Sequence, residues 1–241
     1  MLNITRGSIY NKITSFRKML GFTLAEVLIT LGIIGVISVL VLPNLFVKVQ
    51  KTSTETKLKR FYAEINQAIR MSATQTGVDV DGWVIRKKEY KKADLDQFVD
   101  TYLRPTLNIS TTRYIAKNPN ACGGKCDRIL IILNNGIAFS MYIDGNGGDV
   151  FFHPDPEKTD YKDPRHSFAF QMAKSTALGG TDFIDVSSIE PYTMNWNATD
   201  GINKLKTDNK RGCNRKSSSN NQYCTKWIQL NEWKIPKDYP W

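Results

Sequence analysis

Histidine is scarce: His153 and His166 are the only two in 241 residues. No HExxH, GxSxG or glycine-rich phosphate loop accompanies them. His153 stands beside Pro154 and Asp155, and His166 follows Arg165, so both read as surface-loop residues. Carboxylates are numerous, yet no two stand out by spacing as an acid–base pair. Cysteine is limited to four residues and no CxxC occurs, which excludes the common redox motif. There is no internal repeat and no low-complexity tract. A second long apolar run is also missing, which excludes a multi-span membrane protein. With 41% hydrophobic and 23% charged residues, the composition is that of a folded chain rather than a disordered one. These absences point away from an enzyme.

Acidic residues are missing from one place in particular. Residues 1–21 carry Arg6, Lys12, Arg17 and Lys18 and no acid. Residues 203–241 carry nine basic and three acidic groups. The formal charge of +10 therefore resides in a basic leader and a basic tail around a neutral body. Basic residues before an apolar run hold that end in the cytoplasm. The tail reads as a contact surface for an acidic partner or as a solvated face.

The apolar run spans Phe22 to Val47, 26 residues with Glu26 as the single charge. As a helix it reaches roughly 39 Å at ~1.5 Å per residue, enough to cross a bilayer core of ~30 Å. It is too long for a secretory signal's apolar region, and no small-residue cleavage site follows it before Lys48. A single membrane anchor with the body outside is the simplest reading. Glu26 does not fit a plain anchor, because an intramembrane carboxylate is costly and marks function.

Gly21-Phe22-Thr23-Leu24-Ala25-Glu26, after a basic leader and before an apolar helix, resembles the processing site of type IV prepilins and type II secretion pseudopilins. The resemblance covers about residues 1–75. It implies cleavage by a prepilin peptidase between Gly21 and Phe22, with N-methylation of Phe22. Glu26 then becomes the fifth residue of the mature chain. Its implied role is to neutralise the N-terminal amine of a neighbouring subunit during assembly. The implied partners are other pilin or pseudopilin subunits and the inner-membrane assembly platform. The implied location is the cytoplasmic membrane, with the head periplasmic or extracellular, and then the fibre. Pro43 lacks a backbone N–H and is expected to kink or loosen the helix near residues 39–43.

Beyond Pro43 the pattern becomes one-sided. Leu58, Phe61, Tyr62, Ile65, Ile69 and Ser72 share a helical stripe, with Gly77 as the stop. The expected parts are a leader at 1–21, a membrane half of the helix at 22–47, an amphipathic half at 48–76 and a head at 77–241. A second helix is predicted over 91–103, ended by Pro105. Residues 129–133 and 137–143 flank Asn134-Asn135-Gly136 and predict a β-hairpin, with 150–152 as a third strand. The fold class is α+β: a long N-terminal helix packed on a small antiparallel sheet. Beyond residue 155 the sequence supports no firm assignment.

Three further groups carry candidate chemistry. Cys122, Cys126, Cys213 and Cys224 favour two local disulfides, 122–126 and 213–224, with a zinc site as the rival. Asp144, Asn146 and Asp149 alternate oxygen donors in a glycine-rich segment, a possible calcium loop of the kind some pseudopilins carry. The EF-hand pattern fails there, and a solvated turn is the plainer reading. In the tail, Lys204, Lys206, Lys210, Arg211, Arg215 and Lys216 lie near Tyr223, Trp227 and Trp233. Such a set can contact phosphates and stack on bases, as in DNA-binding competence pilins, or can be core aromatics beside a solvated basic loop. The leading function is a minor structural subunit of a pilus or pseudopilus. The alternatives are that DNA-binding subunit and an anchored extracellular enzyme.

Overall fold

The computed structural model describes residues 21–78, 83, 90–115, 117, 126–144, 147–172, 188–216 and 218–241. The basic leader and Cys122 lie outside them. Helix α1, Leu24–Thr76, is 53 residues long, close to 80 Å at ~1.5 Å per residue. It ends where Gly77 takes φ +67°, a left-handed conformation that only glycine adopts without penalty. The helix runs unbroken through Pro43, so the loosening expected at residues 39–43 is not present. Proline there forfeits one backbone hydrogen bond, and the turns on either side remain helical.

The chain forms two compact units that divide between Lys48 and Val49, inside α1. The first is the apolar half of the helix. The second holds the amphipathic half and everything after it.

Helix α2, Lys92–Phe98, continues into a π-helical turn, Val99–Leu103, as its Leu95, Phe98, Val99, Tyr102 and Leu103 spacing predicts. Among the described residues six strands follow: β1 Ile109–Ile115, β2 Arg128–Leu133, β3 Ala138–Asp144, β4 Gly147–His153, β5 Phe168–Met172 and β6 Glu190–Pro191. They form one antiparallel sheet in sequence order. Two short helices, α3 Gly201–Thr207 and α4 Cys224–Leu230, end the chain's regular structure. The fold class is α+β, with the long helix on a small antiparallel sheet.

The β2–β3 hairpin turns at Asn134-Asn135-Gly136, where Gly136 has φ +82° and Asn135 Oδ1 accepts from the Ile137 amide at 3.1 Å. β4 begins earlier than its apolar residues suggest. Asp144 pairs with Gly147 and Ile143 with Gly148, so Asp144 and residues 147–149 are paired strand residues rather than an open loop. Gly148 is required there: a Cβ would lie 3.0 Å from the Tyr142 carbonyl and 3.3 Å from Met172 Cε.

Strand alternation sorts the sheet into two faces. One carries Ile131, Phe139, Val150, Phe152 and Phe170, all buried. Phe61 of α1 enters this face, with its ring 5.4 Å from Phe139, 5.0 Å from Phe152 and 5.4 Å from Phe170. Leu58, Ile65 and Ile69 extend the contact along the helix stripe. Asn66, also buried, donates to the Ile189 carbonyl (3.2 Å) and accepts from its amide (2.7 Å). The side-chain amide thus takes the place of a neighbouring strand and fixes the segment leading into β6.

The second face carries Arg128, Leu130, Ser140, Phe151 and His153, and it is buried as well. The β4–β5 connection covers it. Tyr161 packs on Phe151 at 6.2 Å, and the Arg128 guanidinium sits over the Tyr161 ring while donating to the Thr159 carbonyl at 2.7 Å. His153 is therefore a core residue, contrary to the surface-loop expectation. Its neighbours Pro154 and Asp155 are half-buried, but His153 itself closes strand β4 and points to the covered face.

Candidate membrane and assembly helix

α1 begins with a reciprocal cap. Thr23 Oγ1 accepts from the Glu26 amide (3.2 Å), and the Glu26 carboxylate accepts from the Thr23 amide (2.8 Å) and hydroxyl (2.9 Å). This Thr-x-x-Glu capping box satisfies amides that a helix start leaves unpaired. It also holds the single charge of the apolar run at the helix N-terminus, beside Gly21 and Phe22. Glu26 thus has a local structural task in the isolated chain.

From Phe22 to Val49 the helix buries almost nothing. Phe22, Leu24 and Val39 are 86%, 77% and 73% exposed, and 18 large apolar side chains in this stretch are open. It is one helix long and apolar enough to cross a membrane, among the described residues.

At Val49 the helix changes partner. Thr54, Leu58 and Phe61 turn inward, and the chain's last residues lie against the same segment. Glu55 accepts from the Ile235 amide at 2.8 Å and pairs with Lys234 at 3.4 Å. Trp233 packs on Tyr62 at 4.8 Å, and Tyr62 donates to Glu190 at 2.9 Å. Burial and the Glu190 carboxylate push the Tyr62 phenol well above its ordinary range, so it remains a donor at any physiological pH. Nothing in the sequence spacing signals this closure by the C-terminal segment.

Cys213 and Cys224 form a disulfide with Cα atoms 4.7 Å apart. Cys126 is disulfide-bonded too, so none of these three is a thiolate ligand and the zinc alternative falls for them. Replacing Cys213 and Cys224 by serine is expected to cost about 3 kcal/mol, the loop-closure value for a ring of this size. Urea unfolding of the variant against the oxidised parent measures it.

The tail cations are divided. Lys204 pairs with Asp200 at 3.0 Å. Lys206 pairs with Asp238 at 2.6 Å and lies 4.7 Å above the Trp227 ring. Arg211 is half-buried and reaches Met194 Sδ at 3.3 Å. Lys210, Arg215 and Lys216 are exposed. Tyr223 and Trp227 are buried and Trp233 is half-buried on Tyr62, so these aromatics pack in the head rather than offer faces to bases. Of the calcium trio, Asp149 accepts a hydrogen bond from Tyr142 Oη, Asp144 contributes its backbone to the hairpin, and Asn146 lies outside the described residues. Among the described residues no group of three or more His, Cys, Asp or Glu could hold a metal ion.

His153 and Ser140 form a buried pair, Nε2 to Oγ at 2.8 Å, and His153 Nδ1 is 3.0 Å from the His166 carbonyl. The carbonyl can only accept, so Nδ1 carries the proton and Nε2 accepts from Ser140. Both side chains are sealed from solvent.

Fold and site together define an α+β protein with one exposed apolar N-terminal helix and a disulfide-closed head. The chain belongs to DUF6613, a family of unknown function, which matches residues 44–241. No curated protein and no solved structure matches it. The family match begins one residue after Pro43, and so covers the head and its part of the helix but only the last four residues of the apolar run.

Proposed function

We propose that this protein is a pilin-like structural subunit: it is inserted in the cytoplasmic membrane through residues 22–47, cut after Gly21 and assembled by its N-terminal helix. The observation that carries the reading is the open apolar surface of α1. Burying a large apolar side chain is worth ~1.5–3 kcal/mol, so 18 such groups left in water forgo tens of kcal/mol, more than the ~5–15 kcal/mol that holds a domain folded. Such a surface needs lipid first and other helices afterwards.

The prepilin-like hexapeptide 21–26 supplies the chemistry of the transfer. Cleavage creates an amine at Phe22. A charge entering an apolar bundle is tolerated when paired and hydrogen-bonded, and Glu26 of an adjoining subunit is the partner. The basic leader keeps the N-terminus cytoplasmic, which places the head and its disulfides on the oxidising side. The partners of this reading are a prepilin peptidase, sibling subunits and the assembly platform.

The test is intact-mass and N-terminal analysis after expression with and without a prepilin peptidase. The expected product begins at N-methylated Phe22 only when the peptidase is present. A chain left uncut by an active peptidase overturns the reading. Glu26→Gln is expected to be cut as before and to be lost from assembled fibres.

A further inference from the structure

A polar cleft of about 300 Å³ opens in the head, far in sequence from the helix and independent of the leader chemistry. One wall is the turn at 160–165 of the β4–β5 connection. The other is the loop closed by the Cys213–Cys224 disulfide. Four cations line it, Lys162, Arg165, Arg215 and Lys216, against two acids, Asp160 and Asp163.

The two acids are occupied. Asp163 is gripped by Arg165 through Nη2–Oδ2 at 2.7 Å and Nε–Oδ1 at 3.0 Å, which holds its carboxyl below the usual range. Asp160 accepts from the Lys162 amide at 3.0 Å and so caps its own turn. Asp160 keeps its charge, so Lys162, Arg215 and Lys216 leave the cleft with two positive charges in excess, and all three cations are exposed. Like charges converging on one concavity repel, and an anion relieves that repulsion.

The walls are also held in place. Asn221 of the disulfide loop donates to the Lys162 carbonyl at 2.6 Å, and Tyr239 donates to the Pro164 carbonyl. Arg215 is steadied by a bond to the Trp241 carbonyl. The loops that carry the cations thus start from a fixed arrangement rather than paying for it on binding.

We infer that this cleft binds a small soluble phosphate-bearing anion, held by Lys162, Arg215 and Lys216. The volume exceeds that of a single phosphate and suits a diphosphate or a phosphorylated sugar.

The test is calorimetric titration of the full-length protein in neutral detergent with inorganic pyrophosphate. Saturable binding is expected, weakening as salt rises. Lys162→Gln/Lys216→Gln is expected to lower affinity roughly tenfold to a hundredfold, equivalent to ~1.4–2.8 kcal/mol for the pair. Lys210→Gln, in the same basic tail but outside the cleft, is expected to bind as the parent does. No saturable binding by the parent overturns the inference, and so does equal affinity in the double variant. Leader cleavage is untouched by any of these outcomes.

Discussion

Phe61→Ala is expected to destabilise the head by about 4 kcal/mol, within the range for a buried phenylalanine truncated to alanine. The ring is 1% exposed and meets three other rings within 5.4 Å. Its loss removes the transfer free energy of the side chain and leaves a cavity bounded by Phe139, Phe152 and Phe170. Those residues lie on adjacent strands, so the sheet cannot collapse into the space without breaking its pairing. Each aromatic contact adds ~0.5–1.5 kcal/mol beyond area. Phe61→Leu, which keeps most of the volume, is expected to cost less than half as much. Leu230→Ala serves as the control, since Leu230 is 47% exposed at the end of α4. Urea midpoints of the three variants measure the order. A Phe61→Ala midpoint no lower than that of Leu230→Ala would contradict the account of the core.

The same contact explains why the long helix was legible. Leu58, Phe61, Ile65 and Ile69 recur at helical spacing and all face one sheet, so periodicity and packing agree. The β2–β3 hairpin was legible because Asn134-Asn135-Gly136 separates two dense apolar runs. β1 was not. Its Ser110, Thr111 and Thr112 are polar, and an edge strand with one pairing partner shows little alternation. β5 is buried on both faces, so Phe168 to Met172 has no alternation to read. In β4 the two glycines suggest a turn, whereas Gly148 is there to let Met172 and the Tyr142 carbonyl approach.

The candidate sites divide along the same line. Gly21, Phe22 and Glu26 are adjacent in sequence, and a local motif can be read locally. The cleft is assembled from residues 160 and 162–165, from residues 215, 216, 219 and 221 some fifty positions on, and from Pro240, with no shared pattern. Four of its polar groups come from a loop whose shape depends on one disulfide. The tail cations looked like a single basic patch because they are close in sequence. Folding sends Lys206 to Asp238, Lys204 to Asp200 and Arg215 to the cleft. Family membership adds a further contrast. The match over 44–241 belongs to the head, whereas the prepilin-like motif lies wholly before it. The head is therefore where the distinctive chemistry of this chain should be sought.

His153 gives the second large effect, through pH. Burial lowers its pKa from 6.5 to about 4, the bond to the His166 carbonyl partly opposes this, and the Arg128 and His166 charges lower it further. The unfolded chain takes up a proton near pH 6.5, and the folded chain does not until about 4. Between those values the unfolded state holds more protons, so stability rises with pH. The contribution is complete above pH ~6.5 and is lost as pH falls toward 4, and it amounts to about 3 kcal/mol. The groups facing the ring are Ser140 from β3, Arg128 from β2 and the His166 backbone, none of which supplies an acid to hold an imidazolium. His153→Gln keeps a donor and an acceptor but does not titrate. Urea unfolding at a series of pH values is expected to show a steep slope in the parent between 6.5 and 4. The variant's slope should be shallower by one proton's worth. Parallel curves would place His153 outside the core, or pair it with an acid, and either result would undo the assignment of the second sheet face.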